Sequence, residues 1–228
     1  MASSFLACLA VLALPVAALR AEEMKPPAAN GWRTLLASRQ LVEIKTIDPT
    51  ILVELRYAGT NNLLGHAIYE AEMPCMTRPR VARYLQTAQA ILHAQGYGLK
   101  IWDAYRTPDG HRAIWRSFSR RHYVADPTDG RGSLHSWGLA VDVTLTGTDG
   151  RELTMPSAFD DFTAAASGIY LGDDPAVGAR LRTLQKAMKA AGFIGLSTEW
   201  WHFAARDWKA DEPLRWQPVT PHTRTRIP

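Results

Sequence analysis

The chain has 228 residues, is 46% hydrophobic and 21% charged, and carries a formal net charge of +4. That length suits one domain with a sizeable core, and the composition excludes wholesale disorder. The mild positive charge fits anionic surroundings, while the lack of a Lys/Arg cluster interleaved with aromatics argues against nucleic-acid binding.

Residues 5–19 form an apolar, Ala/Leu-rich run followed by Arg20, Glu22 and Glu23. The run is short for a stable membrane span. It reads as the core of a secretory signal over residues 1–21, with Ala17 and Ala18 near the cut. No positively charged side chain precedes it. The expectation is an exported, periplasmic protein, or a cytoplasmic one without a working signal. Once the signal is removed, Cys75 is the only cysteine left and no internal disulfide can form. Residues 22–40 read as a flexible leader, residues 41–208 as the domain, and residues 209–228 as an extended, Pro-rich tail.

Within the domain, residues 41–47 read as a short strand and Asp48-Pro49 as a turn. Residues 51–57 are rich in strand formers and run into a loop over 57–62. Residues 77–95 read as a helix: Thr77 caps it, Pro79 suits its first turn, and Val81, Leu85, Ala88, Ile91 and Leu92 share one face. Gly96 and Gly98 stop it, and His93 is a surface or packing residue. The next strand, 99–102, delivers Asp103-Ala-Tyr-Arg106 at its end. Residues 108–123 read as a basic helix with Ile114, Trp115 and Phe118 inward and His111 and His122 exposed. Residues 126–132 read as a mobile loop, 140–145 as a buried strand and 147–150 as a turn. The last helix runs from Asp174-Pro175 to Ala191, with Leu181, Leu184 and Met188 inward and Gly192 past its end. No internal repeat or domain boundary interrupts the chain. The pattern predicts an α+β single domain with a small, mostly antiparallel sheet flanked by helices.

Two segments carry chemistry. Ser133-Leu-His-Ser-Trp-Gly-Leu-Ala-Val-Asp142 supplies a histidine and an aspartate seven positions apart, and Glu199-Trp-Trp-His202 a glutamate and a histidine three apart. With seven His and 22 acidic residues in the chain, some pairs arise by chance. Asp142, however, falls in an apolar, β-branched strand, where a charge is costly unless paired or metal-bound. Gly138 gives the tight backbone a site loop needs. Two imidazoles, one binding carboxylate and one spare carboxylate make an open catalytic zinc site, with three protein ligands and a fourth position for water. Residues three apart face opposite ways on a regular strand, so Glu199 must sit at a bend, with a strand starting at about Trp200.

These motifs resemble those of the zinc D-Ala-D-Ala peptidases of the VanX type, relatives of D,D-carboxypeptidases and Hedgehog-like domains. The Glu-Trp-Trp-His-Phe form is closest to the D-alanyl-D-alanine dipeptidase branch, and the likeness runs from about Leu52 to Phe203. The resemblance implies His135, Asp142 and His202 as ligands of one zinc per chain, Glu199 as general base and Arg106 as oxyanion partner. The family has Asp-x-Tyr-Arg-Pro where this chain puts Thr107 before Pro108, so the proline is displaced by one. A plain salt bridge with Asp103 is the alternative role for Arg106. The resemblance also implies Asp160 for the substrate amine, with Asp161 as competitor, Tyr57 at the pocket, and Ser133 near the carboxylate end. A solvated acidic loop and a strand-end tyrosine with its hydroxyl in water are the plain alternatives for Asp160 and Tyr57. The expected partner is the dipeptide itself.

Three rivals remain open on the sequence. One is a D,D- or L,D-carboxypeptidase or endopeptidase on peptidoglycan stems, with the same metal set. Another is a non-catalytic zinc-bearing module for wall peptides, and the last is a purely structural zinc.

Overall fold

The computed structural model describes residues 31–118, 123–128 and 131–214. The expected signal, His122 and the tail beyond residue 214 lie outside them. Among the described residues no helix is long and apolar enough to cross a membrane.

The elements are α1 (Gly31–Ala37), β1 (Val42–Glu43), the single turn α2 (Ile44–Ile47), β2 (Leu52–Val53), β3 (Met76–Thr77), α3 (Pro79–His93), β4 (Gly98–Asp103), α4 (Pro108–Ser117), β5 (Ala140–Thr146), α5 (Pro175–Ala191), β6 (Phe193–Leu196) and β7 (Glu199–Ala205). Five strands form one sheet in the order β2-β4-β5-β7-β6, and β1 pairs with β3 in a separate two-stranded ladder. Among the described residues only β2 and β4 run parallel; the other pairs are antiparallel. This is the α+β architecture that the alternation of patterns implies.

The long helices behave as their sequences dictate. Helix α3 starts on Pro79, whose missing N–H costs nothing at a first helical position, and buries Val81, Leu85, Ala88 and Leu92. Helix α5 is capped by Asp174, whose carboxylate accepts from the N–H groups of Ala176 and Val177, and stops at Gly192 with φ 114°. Both pack against the sheet through the core formed with Leu99, Ile101, Val141, Val143 and Leu145. Side chains alternate across a strand. The odd-numbered residues of β5 therefore feed that core, while Asp142 looks to the opposite face.

Several local expectations need correction. The leader expected over 22–40 is, from Gly31, a helix with Trp32 and Leu35 buried, because these large apolar side chains gain more by packing on Tyr57 and Tyr69 than by staying in water. The strand expected over 41–47 spans only Val42–Glu43 and turns helical at Ile44; a short apolar run fits either state. Thr77 does not cap α3: it lies in β3, where its hydroxyl donates to the Gly138 carbonyl at 2.8 Å. Helix α4 ends at Ser117, and His111 is buried with its Nε2 2.8 Å from the Ala125 carbonyl. Past Trp208 the chain is tied back where Asp211 pairs with Arg78 and Arg80.

Candidate metal and peptide site

The site is built on three adjacent strands. In the β5·β7 ladder Asp142 lies directly opposite His202, which places the two side chains on one face. His135 arrives from the turn before β5. Its backbone is closed by Gly138 N–H donating to His135 O at 2.9 Å and Leu139 N–H to Leu134 O at 3.0 Å. Gly138 has φ +66°, and a Cβ there would lie 2.7 Å from Leu41, so a side chain is strained at this position and glycine is not.

His135 Nε2, His202 Nδ1 and Asp142 Oδ1 converge. Their separations are 3.2 Å between the two imidazole nitrogens, 3.0 Å from His202 to Asp142 and 3.4 Å from His135 to Asp142. Zinc bonds of about 2.0–2.1 Å at tetrahedral angles put ligand atoms roughly 3.3 Å apart. The donor set, the spacing and the burial fit such an ion. His135 Nδ1 lies 2.8 Å from the Ala104 carbonyl; a donor there leaves Nε2 unprotonated and facing the other two groups. Burial alone would push the Asp142 carboxyl up, but the adjacent His135 and His202 hold it well below the usual carboxylate range.

Two register shifts aim the remaining groups. Between Ile101 and Asp103 the β4·β5 ladder slips, so that Asp103 pairs with Asp142. Without the slip Asp103 would share the core face of Ile101. The second shift lies in the β6·β7 hairpin, where Gly195 pairs with Phe203 but Leu196 pairs with Glu199. It breaks strand alternation, and Glu199 and His202 line one cavity despite being three apart. The strand starts at Glu199, one residue before the expected position, and the irregularity follows it. Burial pushes the Glu199 carboxyl up to about 7, with Asp142 and Asp160 adding to the effect and His202 and Arg106 opposing it.

Arg106 follows β4 and reaches the same cavity. Its Nε and one terminal nitrogen donate to Asp103 Oδ2 at 2.9 and 2.7 Å, and the latter lies 3.8 Å from Asp142 Oδ2. The guanidinium stacks 5.1 Å from the Tyr57 ring centre. Burial disfavours its charge, but Asp103 keeps it protonated. The salt bridge and the pocket position are thus compatible. The displaced proline has a local cause: the Thr107 hydroxyl accepts from Gly110 N–H at 3.1 Å and Pro108 opens α4.

Asp160 also lines the cavity, and Asp161 is not among the lining residues. Asp160 Oδ1 accepts from the Tyr57 hydroxyl at 3.1 Å and Oδ2 from Leu63 N–H at 2.9 Å. It holds φ +59°, an uncommon backbone state for a non-glycine residue. Burial raises its carboxyl to about 7. Tyr57 is buried, not a strand-end residue in water, and its burial beside Asp160 raises the hydroxyl well above its ordinary value. Ser133 lines the cavity and its hydroxyl accepts from His135 N–H at 3.2 Å.

Two contributors, Tyr69 and the pocket position of His111, escaped the sequence, and Asp103 was read there only as a salt-bridge partner of Arg106. Asp103 is fully buried and joins Arg106 to the Tyr69 hydroxyl, which donates to its Oδ1 at 2.5 Å. Its position at the strand end was the available signal. Tyr69 comes from a loop with no periodic pattern and gave none. His111, expected at the surface, lines the pocket; its place beside Ile114 on an amphipathic helix, three residues apart, was the overlooked cue.

A family model described as D-ala-D-ala dipeptidase matches residues 37–219. The D-alanyl-D-alanine dipeptidase of Escherichia coli (strain K12) is 34% identical over 164 residues, covering 72% of this chain and 83% of that protein. The enzyme of the same name from Enterococcus faecium is 29% identical over 177 residues, covering 68% and 85%. Among solved structures, the LdcB LD-carboxypeptidase aligns with TM-score 0.42 and 20% identity over 73% of this chain and 67% of its own. The D,D-pentapeptidase VanY, in complex with Zn(II), aligns with TM-score 0.37 and 20% identity over 59% and 75%. On the extent of the family match and the 34% relative, this chain belongs to the D-Ala-D-Ala dipeptidase family.

Proposed function

We propose that the protein is a zinc-dependent peptidase that hydrolyses the D-alanyl-D-alanine dipeptide. The observation that carries this reading is the convergence of His135, Asp142 and His202 at 3.0–3.4 Å beside a carboxylate, Glu199, left out of that trio. His135, Asp142 and His202 would hold the ion. When bound, zinc polarises a carbonyl oxygen and lowers the pKa of water to about 7.

The chain's own groups do the rest. Glu199 takes the proton of the attacking water and hands it to the leaving amine, a task for which a carboxyl titrating near neutrality is suited. Arg106, held in a fork by Asp103, donates to the oxygen that gains charge as the carbonyl is attacked. Asp160 accepts from the free amine of the first residue, and Tyr57 fixes the rotamer of that carboxylate. Ser133, on the His135 turn, meets the carboxylate end.

Restriction to dipeptides has a physical basis. Asp160 is desolvated, and an N-acylated peptide would leave it facing an amide instead of a cation. Sites that bury polar groups reject ligands that leave them unpaired. This favours the dipeptidase over a carboxypeptidase acting on stem peptides. The apolar run at residues 5–19 supports export, to a compartment where wall-derived dipeptides are released.

The deciding experiment compares D-Ala-D-Ala with a stem pentapeptide as substrates for the zinc-loaded protein. Cleavage of the dipeptide at a kcat/KM at least about 100-fold higher is expected. Preference for the pentapeptide would transfer the protein to the carboxypeptidase class.

A further inference from the structure

A second, apolar cavity adjoins the β6–β7 hairpin. Phe193, Ile194, Leu196, Phe203 and Ile169 line it. Leu196 also lines the cavity that holds Glu199, Asp160 and the candidate metal residues, and among the described residues it is the one shared by both. It is 43% exposed, and Ile194 and Ile169 beyond it are 53% and 68% exposed. Exposed apolar side chains in one patch mark a contact surface more often than chance.

The backbone at this point is fixed. Leu196 pairs with Glu199 across the turn. Gly168 N–H donates to Ser197 O at 2.9 Å, and a Cβ on Gly168 would sit 3.1 Å from Leu196 O. The turn is therefore clamped by the neighbouring loop, and truncating the Leu196 side chain removes bulk without removing a backbone support.

Placement relative to the reaction follows from the proposed function, on which this inference rests. Asp160 holds the amine of the first residue. Glu199 delivers a proton to the leaving nitrogen, which belongs to the second residue. The second side chain is therefore the one nearest the hairpin turn. We propose that Leu196 is a specificity-determining residue: it forms the partition between the dipeptide pocket and the apolar groove, and so limits the size of the second side chain. The groove beyond it suits an aliphatic or aromatic group.

The test measures kcat/KM for D-Ala-D-Ala, D-Ala-D-Leu and D-Ala-D-Phe in the wild type, Leu196→Ala, Leu196→Met and Ile194→Ala. In Leu196→Ala the ratio of the bulky substrates to D-Ala-D-Ala rises by about tenfold or more, the scale on which pockets discriminate apolar size. Leu196→Met, similar in volume, keeps the wild-type ratio, and so does Ile194→Ala, which lies in the groove alone. An unchanged ratio in Leu196→Ala, with D-Ala-D-Ala still cleaved, overturns the partition and leaves the proposed function standing. An equal rise in Ile194→Ala also overturns it. A wild type that cleaves none of the three dipeptides removes the proposed function and this inference together.

Discussion

Asp103 Oδ2 accepts two hydrogen bonds from one guanidinium, Arg106 Nε at 2.9 Å and a terminal nitrogen at 2.7 Å, while Asp103 Oδ1 accepts from Tyr69. The fork fixes the plane of the guanidinium, which a lysine cannot reproduce. Arg106→Lys should therefore keep its zinc and its dipeptide KM within a few-fold. Its kcat should fall by about 100- to 1000-fold, the usual consequence of losing a transition-state donor. Steady-state kinetics with metal analysis on the same sample checks both.

Glu199 titrates near 7 because it is buried. As a base it must be ionised, so kcat should rise with pH through its pKa and fall at acid pH. A bound divalent cation adds positive charge nearby and draws that value down, so the acid limb of the holoenzyme should lie below pH 7. Glu199→Gln should retain zinc, lose at least about 100-fold in kcat, and abolish this limb in any residual rate. A pH–rate profile decides. Wild-type turnover in Glu199→Gln would remove the residue as the base.

Asp160 has a folded pKa of about 7, above the roughly 3.9 of an exposed aspartate. The folded state thus binds the proton more tightly. Its contribution to stability is largest below the unfolded pKa and is lost as pH rises from about 4 to about 7. Asp160→Asn keeps an oxygen for Leu63 N–H and should be more stable than wild type at pH 8, by on the order of a few kcal/mol, with the difference shrinking toward pH 4. Thermal melts across that range test it. The same variant should lose more activity on the free dipeptide than on N-blocked substrates.

Removing the metal should destabilise the fold. Asp142 is buried, and two imidazoles and a carboxylate lie 3.0–3.4 Å apart, a donor set that fits a divalent cation. Zinc at 100 times its Kd would add about 2.7 kcal/mol by mass action. A chelator should lower the melting temperature, and about one equivalent of zinc per chain should restore it, with activity returning in parallel.

Gly138→Ala places a methyl group against Leu41 at a φ of +66°. Strain of this kind costs about 1–3 kcal/mol, and the turn it distorts carries His135. Lower urea midpoints and weaker zinc binding are expected together. Loss of stability with unchanged zinc affinity would show that the turn is not what aims the imidazole.

What the sequence exposed and what it hid divide along physical lines. Helices α3 and α5 were readable because apolar period, Pro at the start and Gly or Asp at the ends agree. The two segments whose His135, Asp142 and His202 come together were readable because these polar residues stand out against an apolar neighbourhood. Helix α1 was missed because Trp32 and Leu35 follow a Pro-rich stretch and find their partners only in tertiary packing. Tyr69 was invisible for the same reason: nothing local marks a loop tyrosine that will meet Asp103. Asp160 could be separated from Asp161 only in three dimensions, where its backbone turns to positive φ and presents one carboxylate to the cavity.

The two ladder slips on either side of β5 store part of the chemistry as a tally of residues along a strand, not as their identity. Regular pairing of the same residues, without the slips, would leave the composition of the interior almost untouched. It would nonetheless rotate an acid from the workface into oil. Homologues that share all the polar letters should therefore be compared by the pairing of these strands as well as by their signatures.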